Sequence, residues 1–250
     1  MRRAALVTGG ASGIGAAAVR RLAAADASVA VADRDGPAAR AIAAEVGGIA
    51  LTGDVSEPET MPAFVAAAEK AFGRLDTVLL NAGITAGQSG VEDLDVAAYR
   101  RLMGVNVDHV VFGLAAAVPA LRRAGGGAIV ATASLAGLTA MPSDALYTAS
   151  KHAVVGYVRS VGPVLAEEGI TVTAICPGFT DTPLIAASRA LFGDFPLLTA
   201  DDIADAIEAV LERGQPGECW YVQPGREPAA YGFRGIPGPL GGTRPPTLAI

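Results

Sequence analysis

Cysteine and histidine are nearly missing, with two of each in 250 residues. Cys176 and Cys219 stand far apart among apolar, strand-like neighbours, and His109 and His152 lack any ligand spacing. No CxxC or Cys/His cluster is left to hold zinc, so no metal is expected. The cysteines read as buried packing residues, and neither histidine is given a catalytic role. Basic charge is also short: 19 Lys and Arg against 25 Asp and Glu leave a net charge of -6. That removes the electrostatic footprint of a nucleic-acid binder or of a protein held on anionic lipid, and a small-molecule ligand remains. Long apolar runs are scarce too. Met1-Arg2-Arg3 ahead of residues 4–7 faintly imitates a secretory leader, but the apolarity stops at Thr8-Gly9-Gly10 and no cleavage site follows. The run 110–121 carries Pro119 and is too short to span a bilayer. A cytoplasmic location is expected.

What is present is apolar and regular. With 51% hydrophobic and 18% charged residues there is material for one extensive core and no mark of disorder. β-branched apolar runs at 4–7, 28–32, 49–52, 77–80, 128–131, 170–175 and 219–222 alternate with Ala/Leu/Glu/Arg-rich helical stretches. Near-continuous apolarity marks strands covered on both faces, and intervening helices are what right-handed parallel crossovers need. The expected fold is α/β: a single-domain, Rossmann-like, doubly wound parallel sheet of about seven strands with helices on both faces, within residues 1–223. Residues 224–250 are rich in Gly and Pro and read as an extended tail or surface loops. Within them Tyr231, Phe233 and Leu248-Ala249-Ile250 are candidates for docking on the core or on another subunit.

In doubly wound sheets the ligand sits at the carboxyl ends of the strands, so the residues after each run matter most. After the first comes Thr8-Gly9-Gly10-Ala11-Ser12-Gly13-Ile14-Gly15, opening a helix through Val19 and Leu22. Gly9, Gly13 and Gly15 permit a tight turn and a close approach to a pyrophosphate, which free N–H groups and the helix dipole then meet. The spacing is not GxGxxG, but strand before and helix after is the confirming context. The second run ends in Asp33-Arg34, eighteen residues beyond Gly15, near the interval of a ribose-binding acid. Asp33 can accept from an adenosine ribose diol and repels a 2′-phosphate, so NAD is preferred over NADP, with Arg34 partly offsetting the repulsion. Tyr147 and Lys151, four apart in a helix-compatible stretch, share one face. An adjacent ammonium favours the phenolate and draws a phenol pKa from about 10 toward the working range.

Taken together, these motifs resemble the short-chain dehydrogenase/reductase family over residues 4 to 223. The glycine turn, Asp33, Asp54-Val55, Asn81-Ala82-Gly83, Asn106-Val107, Ser134, Tyr147 with Lys151, and Pro177-Gly178 fall in that family's order. The resemblance implies hydride exchange between a nicotinamide cofactor and an alcohol/carbonyl pair. It implies that Ser134 polarises the substrate oxygen, Tyr147 exchanges its proton, Lys151 holds the nicotinamide ribose and lowers the Tyr147 pKa, and Asn106 keeps a relay water. It also implies that Gly9, Ser12, Gly13, Ile14 and Gly15 cradle the pyrophosphate, with Asp33 and Arg34 at the ribose. Asp54 and Val55 would flank the adenine, and Asn81, Ala82 and Gly83 the adenosine ribose. Pro177, Gly178, Phe179, Thr180 and Thr182 would cover the nicotinamide.

The residues around Ser134, Tyr147 and Pro177 are similar to members acting on lipid-like secondary alcohols, the 15-hydroxyprostaglandin dehydrogenases among them. Leu184, Ile185, Leu191, Phe192, Phe195, Leu197 and Leu198 could wall an apolar pocket or pack on the core. Three departures stand out: Leu80 replaces a common Asn, Gly162-Pro163 is expected to interrupt or kink the helix after Lys151, and the tail is long. Because the family usually dimerises through that helix, the homodimer or homotetramer implied by the resemblance is put in question there. A same-fold NADPH-dependent carbonyl reductase is disfavoured by Asp33. A non-enzymatic dinucleotide-sensing homologue is disfavoured by the intact set Asn106, Ser134, Tyr147 and Lys151.

Overall fold

The computed structural model describes residues 3–87 and 91–235. The seven apolar runs form strands β1 (Ala4–Thr8), β2 (Ser28–Asp33), β3 (Ile49–Thr52), β4 (Thr77–Leu80), β5 (Gly127–Thr132), β6 (Ile170–Pro177) and β7 (Cys219–Val222). All seven are parallel, and an eighth, β8 (Ala229–Ala230), adds antiparallel to β7 in the order β3-β2-β1-β4-β5-β6-β7-β8. Between them run helices α1 (Gly13–Ala24), α2 (Gly36–Val46), α3 (Thr60–Phe72), α4 (Val96–Met103), α5 (His109–Ala124), α6 (Ala145–Ala166) and α7 (Ala200–Arg213).

Alternation along each strand sends side chains to two separate cores, as a sheet covered on both faces requires. Leu6, Val78, Ile129 and Val172 pack with Phe64 of α3, Leu114 of α5 and Val154 of α6. On the other face Val7, Val31, Leu79 and Ile175 pack with Val19 of α1, Ala39 of α2 and Ile207 of α7. Helix ends are marked in the sequence: Asp35 caps α2 by accepting from the Ala38 N–H, and Thr199 with Asp202 forms a capping box on α7. Strand order reverses between β1 and β4, whose outgoing connections leave on opposite faces. A crevice opens there at the carboxyl end of the sheet.

Three expectations are corrected. The apolar run 110–121 is part of a longer helical span, Val96–Ala124, continued from α4 into α5 by a π-helical turn at Gly104–Asp108. By length and composition that span could cross a membrane. In the fold Leu102, Val110, Leu114 and Leu121 are instead buried in the protein core. Secondly, the tail contributes β8: Tyr221 pairs with Ala229 and Trp220 with Ala230. Phe233 then lies under the Arg159 guanidinium of α6, 3.6 Å from it, with Tyr231 edge-on. Leu248-Ala249-Ile250 fall outside the described residues.

Thirdly, α6 runs unbroken through Gly162-Pro163. The pair forms a notch that receives the α7–β7 turn: a Cβ on Gly162 would lie 2.3 Å from the Gly217 nitrogen. Pro163 stands three residues before the last residue of the helix, Ala166, and its ring faces Gly217, whose φ of +82° favours glycine. Tertiary packing thus offsets a helix-breaking sequence. Gly162→Ala is therefore expected to destabilise the fold by about 1–3 kcal/mol through overpacking, although alanine is the better helix former. Denaturant unfolding of the two proteins measures it, and an unchanged or higher midpoint contradicts the notch.

Candidate active site

The crevice is a cleft of about 570 Å³ lined from both halves of the sheet. At one end β1 passes into α1 through the glycine turn. Gly9 has φ +62° and Gly13 φ +49°, and a Cβ on Gly15 would fall 2.0 Å from the Gly9 carbonyl oxygen. Gly15 does not line the cleft; it lets the turn pack onto the helix behind it. Ser12 is the N-cap of α1 but makes no side-chain cap bond, so the first-turn N–H groups remain available where Ser12, Gly13 and Ile14 line the cleft. An anion-sized cradle that side chains would fill, at the positive end of a helix dipole, fits a dinucleotide pyrophosphate.

Asp33, at the end of β2, is held by two backbone amides: Oδ2 accepts from Ala11 at 3.1 Å and Oδ1 from Asp35 at 3.0 Å. Arg34 lines the cleft beside it, as do Asp54 and Val55 after β3. The Ser56 hydroxyl and N–H hold the Asp54 carboxyl below its ordinary range. Asn81, Ala82 and Gly83 also line the cleft, but the Asn81 side chain points into the sheet. Its Nδ2 donates to the carbonyls of Thr8 at 3.1 Å and Gly9 at 3.4 Å, and its Oδ1 accepts from the Thr132 hydroxyl at 3.1 Å.

At the other end Ser134, after β5, and Tyr147, on α6, both line the cleft, and the Ser134 hydroxyl favours ionisation of the phenol. Ser134 is itself fixed as the N-cap of a 3-10 turn, accepting from the Ala136 N–H. Lys151, one helical turn beyond Tyr147, is 2% exposed and donates to the Thr132 carbonyl at 2.7 Å. Its Nζ lies 5.6 Å from the Tyr147 ring centre. Burial pushes Tyr147 up to about 12 and Lys151 down to about 8. The sequence expectation of a Tyr147 pKa below 10 is thus reversed in the protein itself, where desolvation, joined by Asp144 and Cys176, outweighs the neighbouring Ser134 hydroxyl.

Asn106 is fully buried in the π turn and does not line the cleft. Its amide accepts from the Ile84 N–H and donates to the Ile84 carbonyl, both at 2.9 Å, and donates to the Ser150 hydroxyl at 3.0 Å. Both donors are spent, so the side chain docks the segment after β4 against α6. Pro177, Gly178, Phe179, Thr180 and Thr182 line the cleft, and Thr182 closes over Gly13. The following 3-10 segment, Pro183–Phe192, has no buried residue, with Leu184 and Ile185 facing the cleft. Phe179, Phe192 and Phe195 cluster with ring centres 4.7, 6.0 and 6.2 Å apart, whereas Leu198 packs on the core.

Sequence reasoning passed over four residues of this site. Thr8 receives the Asn81 N–H at 2.9 Å, and its Oγ1 lies 3.0 Å from His109 Nε2. Burial pushes His109 down to about 3, keeping it neutral. Ser150 relays Asn106 to the Tyr147 carbonyl. Asp144 caps α6 by accepting from the Tyr147 N–H. Only Asp144 carried a local signal, as an acid at a helix start.

The short chain dehydrogenase family model matches residues 3–191. The chain is 39% identical over 191 residues to the cyclohexanol dehydrogenase of Acinetobacter sp. strain SE19, covering 74% of this chain and 75% of that protein. It is 39% identical to 3beta-hydroxysteroid dehydrogenase 2 of Eggerthella lenta, covering 74% of each. Among solved structures, the 3-ketoacyl-(acyl-carrier-protein) reductase of Brucella melitensis complexed with NADH superimposes with a TM-score of 0.83 at 30% identity, over 90% of this chain and 98% of that one. A glycine turn feeding α1, a Ser–Tyr hydroxyl pair backed by a buried lysine, and a sequence match across three quarters of its length together make this chain a member of the short-chain dehydrogenase family.

Proposed function

We propose that the chain is an NAD-dependent dehydrogenase acting on a secondary alcohol with a bulky apolar body, and the corresponding ketone. The observation that carries this reading is the placing of Ser134 and Tyr147 together in the cleft wall, with the buried Lys151 ammonium beside the phenol ring. In oxidation Ser134 donates to the substrate oxygen and holds it, while Tyr147 takes the hydroxyl proton; in reduction Tyr147 returns it. A bound nicotinamide would supply the hydride exchange. Lys151, fixed by the Thr132 carbonyl, presents its remaining N–H groups to the nicotinamide ribose. Asn106 keeps the catalytic helix and the segment at Ile84 in register.

Support for NAD comes from Asp33, oriented by two amides at the end of β2, where its carboxylate would accept from an adenosine ribose and repel a 2′-phosphate. Gly9, Ser12, Gly13 and Ile14 would hold the pyrophosphate, with Gly15 letting the turn pack behind them, Asp54 and Val55 would hold the adenine, Asn81 to Gly83 the ribose side, and Pro177 to Thr182 the nicotinamide. Apolar preference is supported by Leu184, Ile185 and the three-phenylalanine cluster. It also agrees with the motif resemblance to 15-hydroxyprostaglandin dehydrogenase-like members, and the relatives named for cyclohexanol and a steroid fit the same chemistry. Two adjacent free thiols, Cys176 and Cys219, fit a reducing cytoplasm. We take the assembly to be a symmetric homodimer or homotetramer.

Three measurements test this reading. NAD is expected to bind more tightly than NADP, and Asp33→Ala to narrow the gap at least tenfold, roughly the effect of removing one close repulsion; equal dissociation constants in the parent protein rule the preference out. Tyr147→Phe is expected to lower turnover by about a hundredfold or more with NAD affinity retained. In the parent, alcohol oxidation rises with pH, because the phenol is held protonated well above neutrality and only its conjugate base accepts the proton; ketone reduction runs the other way. Retained turnover in the Phe variant removes the mechanism. The third concerns Lys151. Its depressed pKa means that below pH 8 the fold carries a buried charge at a cost of about 3 kcal/mol, relieved as pH rises toward 10.5. Lys151→Met should therefore raise the thermal midpoint at pH 7 by a few degrees while abolishing turnover. A lower midpoint shows that the Thr132 bond outweighs the desolvation.

A further inference from the structure

After Gly83 the chain runs as a short strap, residues 84–87, with no strand partner among the described residues. Two side chains hold it. Asn106 takes both backbone polar groups of Ile84 at one end. At the other end Asp144 Oδ2 accepts from the N–H groups of Ala86 and Gly87, each at 3.1 Å, while its Oδ1 accepts from the Tyr147 N–H at 3.0 Å. Asp144 is 5% exposed, so one buried carboxylate joins the strap to the first turn of the helix that carries Tyr147. The Tyr147 ring packs there with Leu102 and Ala136, and Ala86, Ile84 and Met141 close around them. Ile84, Thr85 and Met141 also line the cleft. Capping α6 needs only one acceptor, which Ser, Thr or Asn supplies as well. A carboxylate is acceptor-only, and its second oxygen meets two further donors that an amide nitrogen could not.

We infer that Asp144 is a positioning residue for alcohol oxidation, fixing the strap 84–87 against the catalytic helix and so setting the wall that aligns the substrate with Tyr147. The inference rests on Tyr147 being the acid/base. The charge of the same carboxylate opposes ionisation of the phenol, as does the Cys176 thiol on β6; the Ser134 hydroxyl after β5 favours ionisation, and the Lys151 ammonium lies on the phenol's own helix. Asp144 therefore acts on both the place of the substrate and the proton affinity of its partner.

Asp144→Asn is nearly isosteric and still caps the helix, but it turns an NH2 toward two N–H groups. Asp144→Ser also caps and is too short to reach the strap. In the full chain, KM for a secondary alcohol that the parent oxidises is expected to rise about tenfold in both variants, with the NAD dissociation constant unchanged. The midpoint of the kcat–pH profile for oxidation should move to lower pH, because a negative charge that opposes ionisation of Tyr147 has gone. A residue that merely stabilised α6 would lower the thermal midpoint and leave KM and the pH midpoint alone; that pattern, or no change at all, overturns the inference. Should the Asn variant not fold, the Ser variant carries the same readings. Tyr147→Phe, assayed alongside, keeps the two ideas apart. Turnover retained in it removes the acid/base reading, whereas an inactive Phe variant with unaltered Asp144 variants removes only the role of Asp144.

Discussion

The whole site hangs on a line of polar contacts beneath the cleft, where the sheet reverses its strand order. Strand ends at such a point have lost their ladder neighbours, and their backbone groups need other partners. The Asn81 amide supplies them, donating to Thr8 and Gly9 and accepting from Thr132. Thr132 continues the line through its carbonyl to Lys151, and Thr8 through its hydroxyl to His109. β1, β4, β5, α5 and α6 are thereby held in one register. The glycine turn at one end of the cleft and the Ser134–Tyr147 pair at the other keep a fixed separation, a requirement for any reaction between two bound molecules.

That same line carries an unfavourable electrostatic arrangement that the fold tolerates. An ammonium and a phenol are both desolvated, one pushed down and the other up, and each shift opposes the charged form. Perturbed groups of opposite tendency within one helical turn are a mark of chemistry rather than of packing. The two apolar cores on either face of the sheet supply the stability against which this local cost is set.

Much of this was readable in the chain, for identifiable reasons. Sheet strands write themselves as apolar runs, so β3, β4 and β7 have the boundaries their sequences imply. The glycine turn, Asp33, Ser134, Tyr147 and Lys151 are placed by local segments and reach the cleft as expected. What stayed hidden depends on distant partners. Pro163 sits inside a helix because Gly217 packs against it, and Ala229–Ala230 form a strand because the β7 edge is there to pair with. Asn106 reads as a lone polar residue until Ile84 and Ser150 take up its amide. The sign of the Tyr147 shift also escaped, since Lys151 can be counted four residues away whereas desolvation is visible only once the chain has closed around the ring.

The two-residue strand β8 has a consequence for synthesis. An open strand edge is a template for pairing with other chains, and β7 carries Trp220 and Tyr221 along such an edge. β8 covers it, with the Tyr231 N–H donating to the Cys219 carbonyl at 2.7 Å. β8 follows β7 out of the ribosome. The sheet is therefore complete enough to fold while its outer margin is still unprotected, and at 5–20 residues per second, roughly the usual pace of translation, that interval lasts on the order of a second. Chains truncated just before Ala229 would keep the apolar core and lose the guard on its margin, so their characteristic failure is self-association rather than unfolding.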